Sequence, residues 1–501
     1  MKKSIALSAV TLITALSLLA GCAVAPAAAA AAETTADVSA ANETSAGSAA
    51  KVTVSAVSAE VETSVTSRDA SGEYDASAAV TLSPEDDLTI TEAGVYILSG
   101  TYENKMLVIE AGDEDKVQLV LDNAVLTNEN GPAIYVRSAD KVFLTAAAGT
   151  ENTISDGTDC AVTDGDTELD AAVFSKADLT INGAGRLTIN GSDKHAVVSK
   201  DDLVVTAKAL TVNAKNVGLC GKDSVRFAEA AVTVTAGTDG VCSDNDEDAD
   251  RGYVSVMDST LTIVSGKDGI QAETVFTAAD STIIVTAGGG HSARNADASE
   301  SCKGIKAGVS VSIDGGTVQI DALDDGIHTN GAIRISAGSL SLVSGDDGIH
   351  ADETVEIAGG TLGITAREGI EGTYIRISGG EIDIQASDDG INAARKSAAY
   401  TPTVEISGGR ITVTMGAGDT DGIDSNGNIV ISGGTVYVYG SSSFDYDGTA
   451  SFTGGTVYVN GQQVSTLPNQ MMGGGFGGGQ GGFGGGRPGG QGGFGGQGGR
   501  P

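Results

Sequence analysis

The feature that most constrains this chain is a three-residue motif, acid-Gly-Ile, that returns at a period near 22 residues. Asp268-Gly269-Ile270, Asp325-Gly326-Ile327, Asp347-Gly348-Ile349, Glu368-Gly369-Ile370, Asp389-Gly390-Ile391 and Asp421-Gly422-Ile423 carry it. Asp239-Gly240-Val241 and Lys303-Gly304-Ile305 are close variants, and Ala172, Ala196 and Gly218 hold the glycine position of weaker upstream copies. The steps 196→218, 218→240, 304→326 and 326→348 are 22 residues, and those to 369 and 390 are 21. Longer steps, 269→304 and 390→422, carry insertions. Between copies lie short alternating runs such as Thr354–Ile357 and Thr361–Ile364, parted by Gly359-Gly360. The glycine pair recurs at 315–316, 379–380, 408–409, 433–434 and 454–455.

Short strands between glycine turns, at this period, predict one coil of a solenoid per repeat. A leucine-rich repeat would need Leu and Asn at fixed places, and a propeller a unit about twice as long. No sustained helical periodicity follows the N-terminal segment. The expectation is an all-β, single-stranded, right-handed parallel β-helix over residues 85–465.

Equivalent residues on stacked coils lie about 4.8 Å apart. The residue after each glycine then forms an inward aliphatic ladder: Val241, Ile270, Ile305, Ile327, Ile349, Ile370, Ile391, Ile423. The next position points outward and reads Cys242, Gln271, Lys306, His328, His350, Glu371, Asn392, Asp424. The residue before glycine is acidic in seven of eight coils, Lys303 being the exception.

Like charges at that spacing repel, so the line needs a compensator. Calcium takes six to eight oxygens in loose geometry and suits it. Asp324, Asp325, Asp346 and Asp347 offer the first candidate site, and Asp388 and Asp389, with Glu368 or Asp421, the second. The acidic loop Asp244, Asn245, Asp246, Asp248, Asp250 is a third. The competing reading is a solvated acidic edge with Asp and Gly chosen for turns. His328, His350, Lys306, Glu371, Asn392 and Asp424 are the candidate ligand contacts, and oxygen-rich company favours calcium over a transition metal. Lys303 and Lys306 either neutralise their acidic neighbours or, with a lowered pKa, act as a base. Cys220 and Cys242 stand at one position on adjacent coils, and both a disulfide and an unbridged pair remain open.

Lys2 and Lys3, an apolar stretch from Ile5 to Leu19 and Leu19-Ala20-Gly21-Cys22 look like a bacterial lipoprotein signal, residues 1–22, with Cys22 the lipidated residue. The expected location is extracellular, with lipid as the only link to a membrane. Residues 23–50 read as an Ala/Thr/Ser tether and 51–84 as a lead-in. Residues 466–501 read as a Gly-rich disordered tail, with 19 Gly in 473–501. The C-terminus lacks the strands of a membrane barrel, which argues against an autotransporter passenger.

The run Ile90-Thr91-Glu92-Ala93-Gly94-Val95-Tyr96-Ile97-Leu98, then Gln118-Leu119-Val120-Leu121-Asp122 and Gly149-Thr150-Glu151-Asn152-Thr153, resembles the opening coils of bacterial carbohydrate-binding-domain proteins. Gly345-Asp346-Asp347-Gly348-Ile349-His350-Ala351-Asp352 and Asp421-Gly422-Ile423-Asp424-Ser425-Asn426-Gly427 resemble that family's later repeats. The resemblance implies a calcium-binding parallel β-helix that binds an acidic plant cell-wall polysaccharide such as polygalacturonate, and cellulose. It also implies an architecture similar to family 9 pectate lyases, in which calcium and a Lys base drive β-elimination. No fixed Lys–Asp–Asp spacing here matches a complete lyase site.

Composition agrees with an ionic mode of recognition. Acidic residues number 66 against 29 basic ones, a formal charge of −37, which excludes nucleic acid as a partner. Aromatic residues are 4% of the chain, which argues against a site of stacked rings. The leading expectation is a monomeric, calcium-dependent binding protein. A lyase using Lys303 or Lys306 and a surface adhesin or spacer are the alternatives.

Overall fold

The computed structural model describes residues 61–469, apart from 86–87, 295–299 and 418–419. The signal and lipobox at 1–22, the tether at 23–50, the start of the lead-in and the tail from 470 lie outside the described residues. Among the described residues, no helix is long and apolar enough to cross a membrane.

The described chain is a parallel β solenoid. Nearly every strand pairs in parallel with its counterpart one repeat later. The register follows the motif: Val241 pairs with Ile270, Ile270 with Ile305, Ile305 with Ile327, Ile327 with Ile349, and so on to Ile423. Each of these ladder residues is fully buried. Burying one such side chain contributes roughly 1.5–3 kcal/mol, and the stack repeats that gain on every coil. Ile423 then pairs with Phe444, which continues the ladder without a preceding glycine. Val173, Val197 and Leu219 continue it upstream, so the weaker copies are true rungs.

The motif glycines answer a packing need. A Cβ on Gly369 would meet the Gly390 carbonyl oxygen at 2.3 Å and Ile384 Cγ2 at 2.4 Å. The second glycine of each Gly-Gly pair turns the chain instead: Gly360 and Gly380 have φ of 92°, a region that side-chain-bearing residues avoid.

Two additions sit on the coils. The lead-in carries a short helix, Ser67–Ser71, capped by Thr66 and Asp69. Its Asp69 is buried against Thr180, and the Asn182 amide and the Thr206 hydroxyl donate to the Asp69 carbonyl. An antiparallel hairpin, Thr163–Asp164 with Thr167–Glu168, is the other. It shelters a small second core of Tyr135, Leu169, Ala171, Phe174 and Val198.

Candidate binding site: two polar columns on one edge

Two outward columns flank the buried ladder. One holds the residues before glycine, the other the residues after the ladder position. In the second column, Lys306 pairs with His328, His328 with His350, His350 with Glu371, Glu371 with Asn392, and Asn392 with Asp424. The candidate ligand contacts therefore form one continuous line. It runs on to Asp445 and back through Gln271, Cys242 and Cys220 to Val198 and Phe174. At its upstream end the line is apolar and the hairpin covers it.

The acidic column has a structural duty as well as a charge. Asp239 Oδ1 accepts the backbone amide of Asp268, and Asp268 Oδ1 that of Lys303. Asp325 Oδ1 accepts the amide of Asp347, and Asp389 Oδ1 that of Asp421. A carboxylate at this position satisfies a donor on the next coil.

Cationic side chains neutralise the upstream part. Lys303 Nζ donates to Asp324 at 2.8 Å and to Asp325 at 2.6 Å. Lys306 Nζ stands 3.3 Å from Asp268. Arg367 pairs with Asp346, with Glu368 at 2.9 Å and with Asp388 at 2.6 Å. Burial acts to lower the Lys303 pKa, but the carboxylates of Asp325 and Asp324 outweigh it and the pKa is raised. An amine so held stays protonated, which is the wrong form for a base. Burial acts to raise the Asp325 pKa, and hydrogen bonds from His328 and Lys303 carry it well below the carboxylate range instead.

His350 lies in the middle of the edge. Its Nδ1 is 2.7 Å from Asp347 Oδ2 and 2.9 Å from Glu371 Oε2. Burial works against the charged ring, yet these two carboxylates raise its pKa to about 10. Lys396 Nζ holds the other oxygen of Glu371 at 2.9 Å.

Downstream the balance changes. Among the described residues, no Lys, Arg or His lies within ion-pair distance of Asp389, Asp424 or Asp445. Burial, followed by the charges of Asp389, Asp445 and Asp421, raises the Asp424 pKa to about 7. Burial, then Glu368, Asp388 and Asp421, raises that of Asp389 to about 6, although the Asp421 amide donates to it. Asn392 Oδ1 and Asp445 Oδ1 are buried oxygens without a hydrogen-bond partner.

Three sets of donor atoms converge within 4.8 Å among the described residues: Asp324, Asp325 and Asp346; Asp325, His328 and His350; and Asp347, His350 and Glu371. Asp388 is engaged by Arg367 rather than by a convergent set. The loop Asp244–Asp250 is organised differently. Asn245 Oδ1 accepts the amides of Glu247 and Asp248, and no three of its carboxylates converge.

Sequence reasoning missed Arg367 and Lys396 as counter-charges, and Asp445 as a member of the line. Asp445 follows Ser443-Phe444, not Gly-Ile, so the motif does not flag it. The hairpin had a signal: Phe174 and Val198 occupy outward positions, and apolar residues there need a cover. Cys220 and Cys242 are register partners with free thiols, their sulfurs 2.6 Å apart. Tyr437 and Tyr458 stack at 4.8 Å with Arg410 over Tyr437, so their faces are turned to each other and to the guanidinium.

A family model described as carbohydrate-binding domain-containing protein matches residues 84–348 and 344–465. A curated relative of the same description, from Acetivibrio thermocellus, is 31% identical over 131 residues. That match covers 26% of this chain and 46% of the relative, so it spans less than half of that protein. A solved structure, described as a polysaccharide lyase-like protein from C. thermocellum in a gadolinium derivative, is 27% identical with a TM-score of 0.38. It covers 49% of this chain and 86% of its own. The two segments of the family match together take in most of the solenoid, and the chain belongs to the carbohydrate-binding domain-containing protein family.

Proposed function

We propose that this protein binds an acidic polysaccharide of the polygalacturonate type through calcium held on the downstream half of the polar edge. In this reading the coils form a right-handed, single-stranded β-helix, and its regular rise sets carboxylates at a repeat that a uronate chain meets several times. Family membership supports carbohydrate as the ligand class. The observation that carries calcium is the charge imbalance along the columns. Lys303, Lys306, Arg367, His350 and Lys396 neutralise the upstream acids, while Asp389, Asp424 and Asp445 lack such a partner among the described residues. Asn392 and Asp445 flank Asp424 on successive coils, and their orphaned oxygens are of the type a hard cation takes. Calcium, when bound, supplies positive charge and open coordination positions. The chain's own oxygens do not fill a shell of six to eight, so uronate carboxylates complete it. Asp324, Asp325 and Asp346 form a further all-oxygen set, in which Lys303 already supplies charge. The protein is lipid-anchored outside the cell through Cys22 and acts as a monomer.

Calorimetric titration with polygalacturonate, with calcium and with EDTA, tests this. Binding is expected only with calcium, and Asp424→Asn should weaken it. Equal binding in both buffers, or none in either, sinks the calcium bridge. For the β-elimination alternative, Lys303 is held as an ammonium by Asp324 and Asp325, and Lys306 lies 3.3 Å from Asp268.

A further inference from the structure

A different cation suits the middle of the edge. Three donors from two adjacent coils meet at one point: Asp347 Oδ2, His350 Nδ1 and Glu371 Oε2, with the imidazole nitrogen 2.7 Å and 2.9 Å from the two oxygens. One nitrogen cannot donate well to both, since a neutral or protonated ring carries a single hydrogen there. The same point is where a cation with three ligands would sit. Donors around a zinc-class ion, at bonds of about 2.0–2.2 Å, lie roughly 3–4 Å apart, so the contacts at 2.7 Å and 2.9 Å would open by some tenths of an ångström to admit one.

Independent observations point the same way. Asp347 is only 3% exposed; its Oδ2 faces His350, while its buried Oδ1 makes no hydrogen bond and is ion-paired with Arg367 at 3.8 Å. The supports are those a metal-bound imidazole needs. Its far nitrogen, Nε2, faces Asp352 Oδ1 at 3.3 Å, and Lys396 fixes the outer oxygen of Glu371. His328 stacks on His350 at 4.7 Å and 19°, with its own Nδ1 on Asp325, so a second nitrogen donor lies one coil away in an overlapping set.

We propose that Asp347, His350 and Glu371 form a site for a borderline divalent cation of the zinc class, separate from the oxygen-only calcium stretch downstream. Donor chemistry makes the division: an imidazole between two carboxylates suits zinc, cobalt or nickel, and calcium takes oxygen alone. This goes beyond the polysaccharide reading and does not depend on it.

Cobalt(II) titration of the EDTA-stripped full chain tests the site. Expected are saturable visible bands at one equivalent per chain, displaced by zinc and untouched by excess calcium. His350→Gln and Glu371→Gln should each weaken cobalt binding by at least the roughly 10–100-fold that loss of an outer partner costs. Glu151→Gln, in an exposed pair with Arg186, should leave it unchanged. In the unmutated protein, zinc should shift the imidazole nitrogen-15 resonances of His350, which removes dependence on a variant's folding. Absence of saturable bands, full retention in His350→Gln, or a zinc shift confined to His195 or His291 overturns the proposal.

Discussion

Lys141 Nζ lies 2.9 Å from Asp69 Oδ1, joining the lead-in segment to the solenoid across a distance of more than seventy residues of sequence, and both side chains are largely buried. Burial acts to raise the Asp69 pKa, but hydrogen bonds from Thr180, Thr66 and Lys141 lower it to about 2. Removing one partner of a buried pair leaves the other uncompensated, at a cost of about 3–5 kcal/mol. Asp69→Ala is therefore expected to lower the midpoint of urea unfolding. A depressed folded-state pKa means stability that is full above pH 4 and lost as pH falls through 2, worth about 2 kcal/mol for this group. Wild-type stability should drop over that acid window more than Asp69→Ala stability does.

The downstream acids predict the opposite pH response. Asp424 and Asp389 have folded pKa values raised by burial and neighbouring carboxylates to about 7 and about 6. The folded state then binds more protons than the unfolded one between about pH 4 and pH 7, so stability falls as pH rises through that window. Calcium held beside these carboxylates, as proposed, would remove this penalty. Metal-stripped protein should melt higher at pH 5 than at pH 8, and saturating calcium should abolish the difference. A ligand at about 100 times its dissociation constant adds about 2.7 kcal/mol. Asp424→Asn should raise the melting temperature of the stripped protein at pH 8 and shrink the calcium response. A stripped protein of equal stability at both pH values contradicts this account.

The ladder was legible because its sequence period is also its register: Ile327, Ile349 and Ile370 are both repeats and neighbours. The same arithmetic placed His328, His350, Glu371, Asn392 and Asp424 in one line. What stayed hidden depends on long side chains reaching across coils. Arg367 stands where the flanking repeats have Asp346 and Asp388, and the motif alone does not show that it bridges both. Lys396 arrives from an insertion whose course no period fixes. The carboxylate-to-amide bonds of Asp239, Asp325 and Asp389 were hidden too, because they depend on rotamers rather than on spacing.

Glycine at the motif position is required by the neighbouring coil. A Cβ on Gly348 would lie 2.3 Å from Ile364 Cγ2 and 2.7 Å from the Gly369 carbonyl oxygen. Overpacking of this kind costs about 1–3 kcal/mol. Gly348→Ala should therefore destabilise by that order. Gly363→Ala, where no atom lies within 4 Å of the added carbon, should be near neutral. Chemical denaturation of the pair checks the contrast, and equal losses would point to backbone conformation rather than contact.

Cys220 and Cys242 test the stacking itself. They are register partners on adjacent coils, and such neighbours lie about 4.8 Å apart, inside the Cα range of a disulfide. The hydrogen bond to Cys220, then burial, raises the Cys242 pKa well above that of a free thiol, so the thiolate that starts an exchange is scarce at neutral pH. Oxidation with a diamide-class reagent should therefore link the two slowly at pH 7 and faster at alkaline pH. Intact mass should fall by two hydrogens, and a peptide pair joining the two cysteines should appear. Closing a loop of this size adds about 3 kcal/mol in the chain-entropy account, so the oxidised form should unfold at higher denaturant. Cys242→Ser should abolish both changes. Cross-linking to Cys160 or Cys302 in place of this pair would mean that the coils stack in a different register.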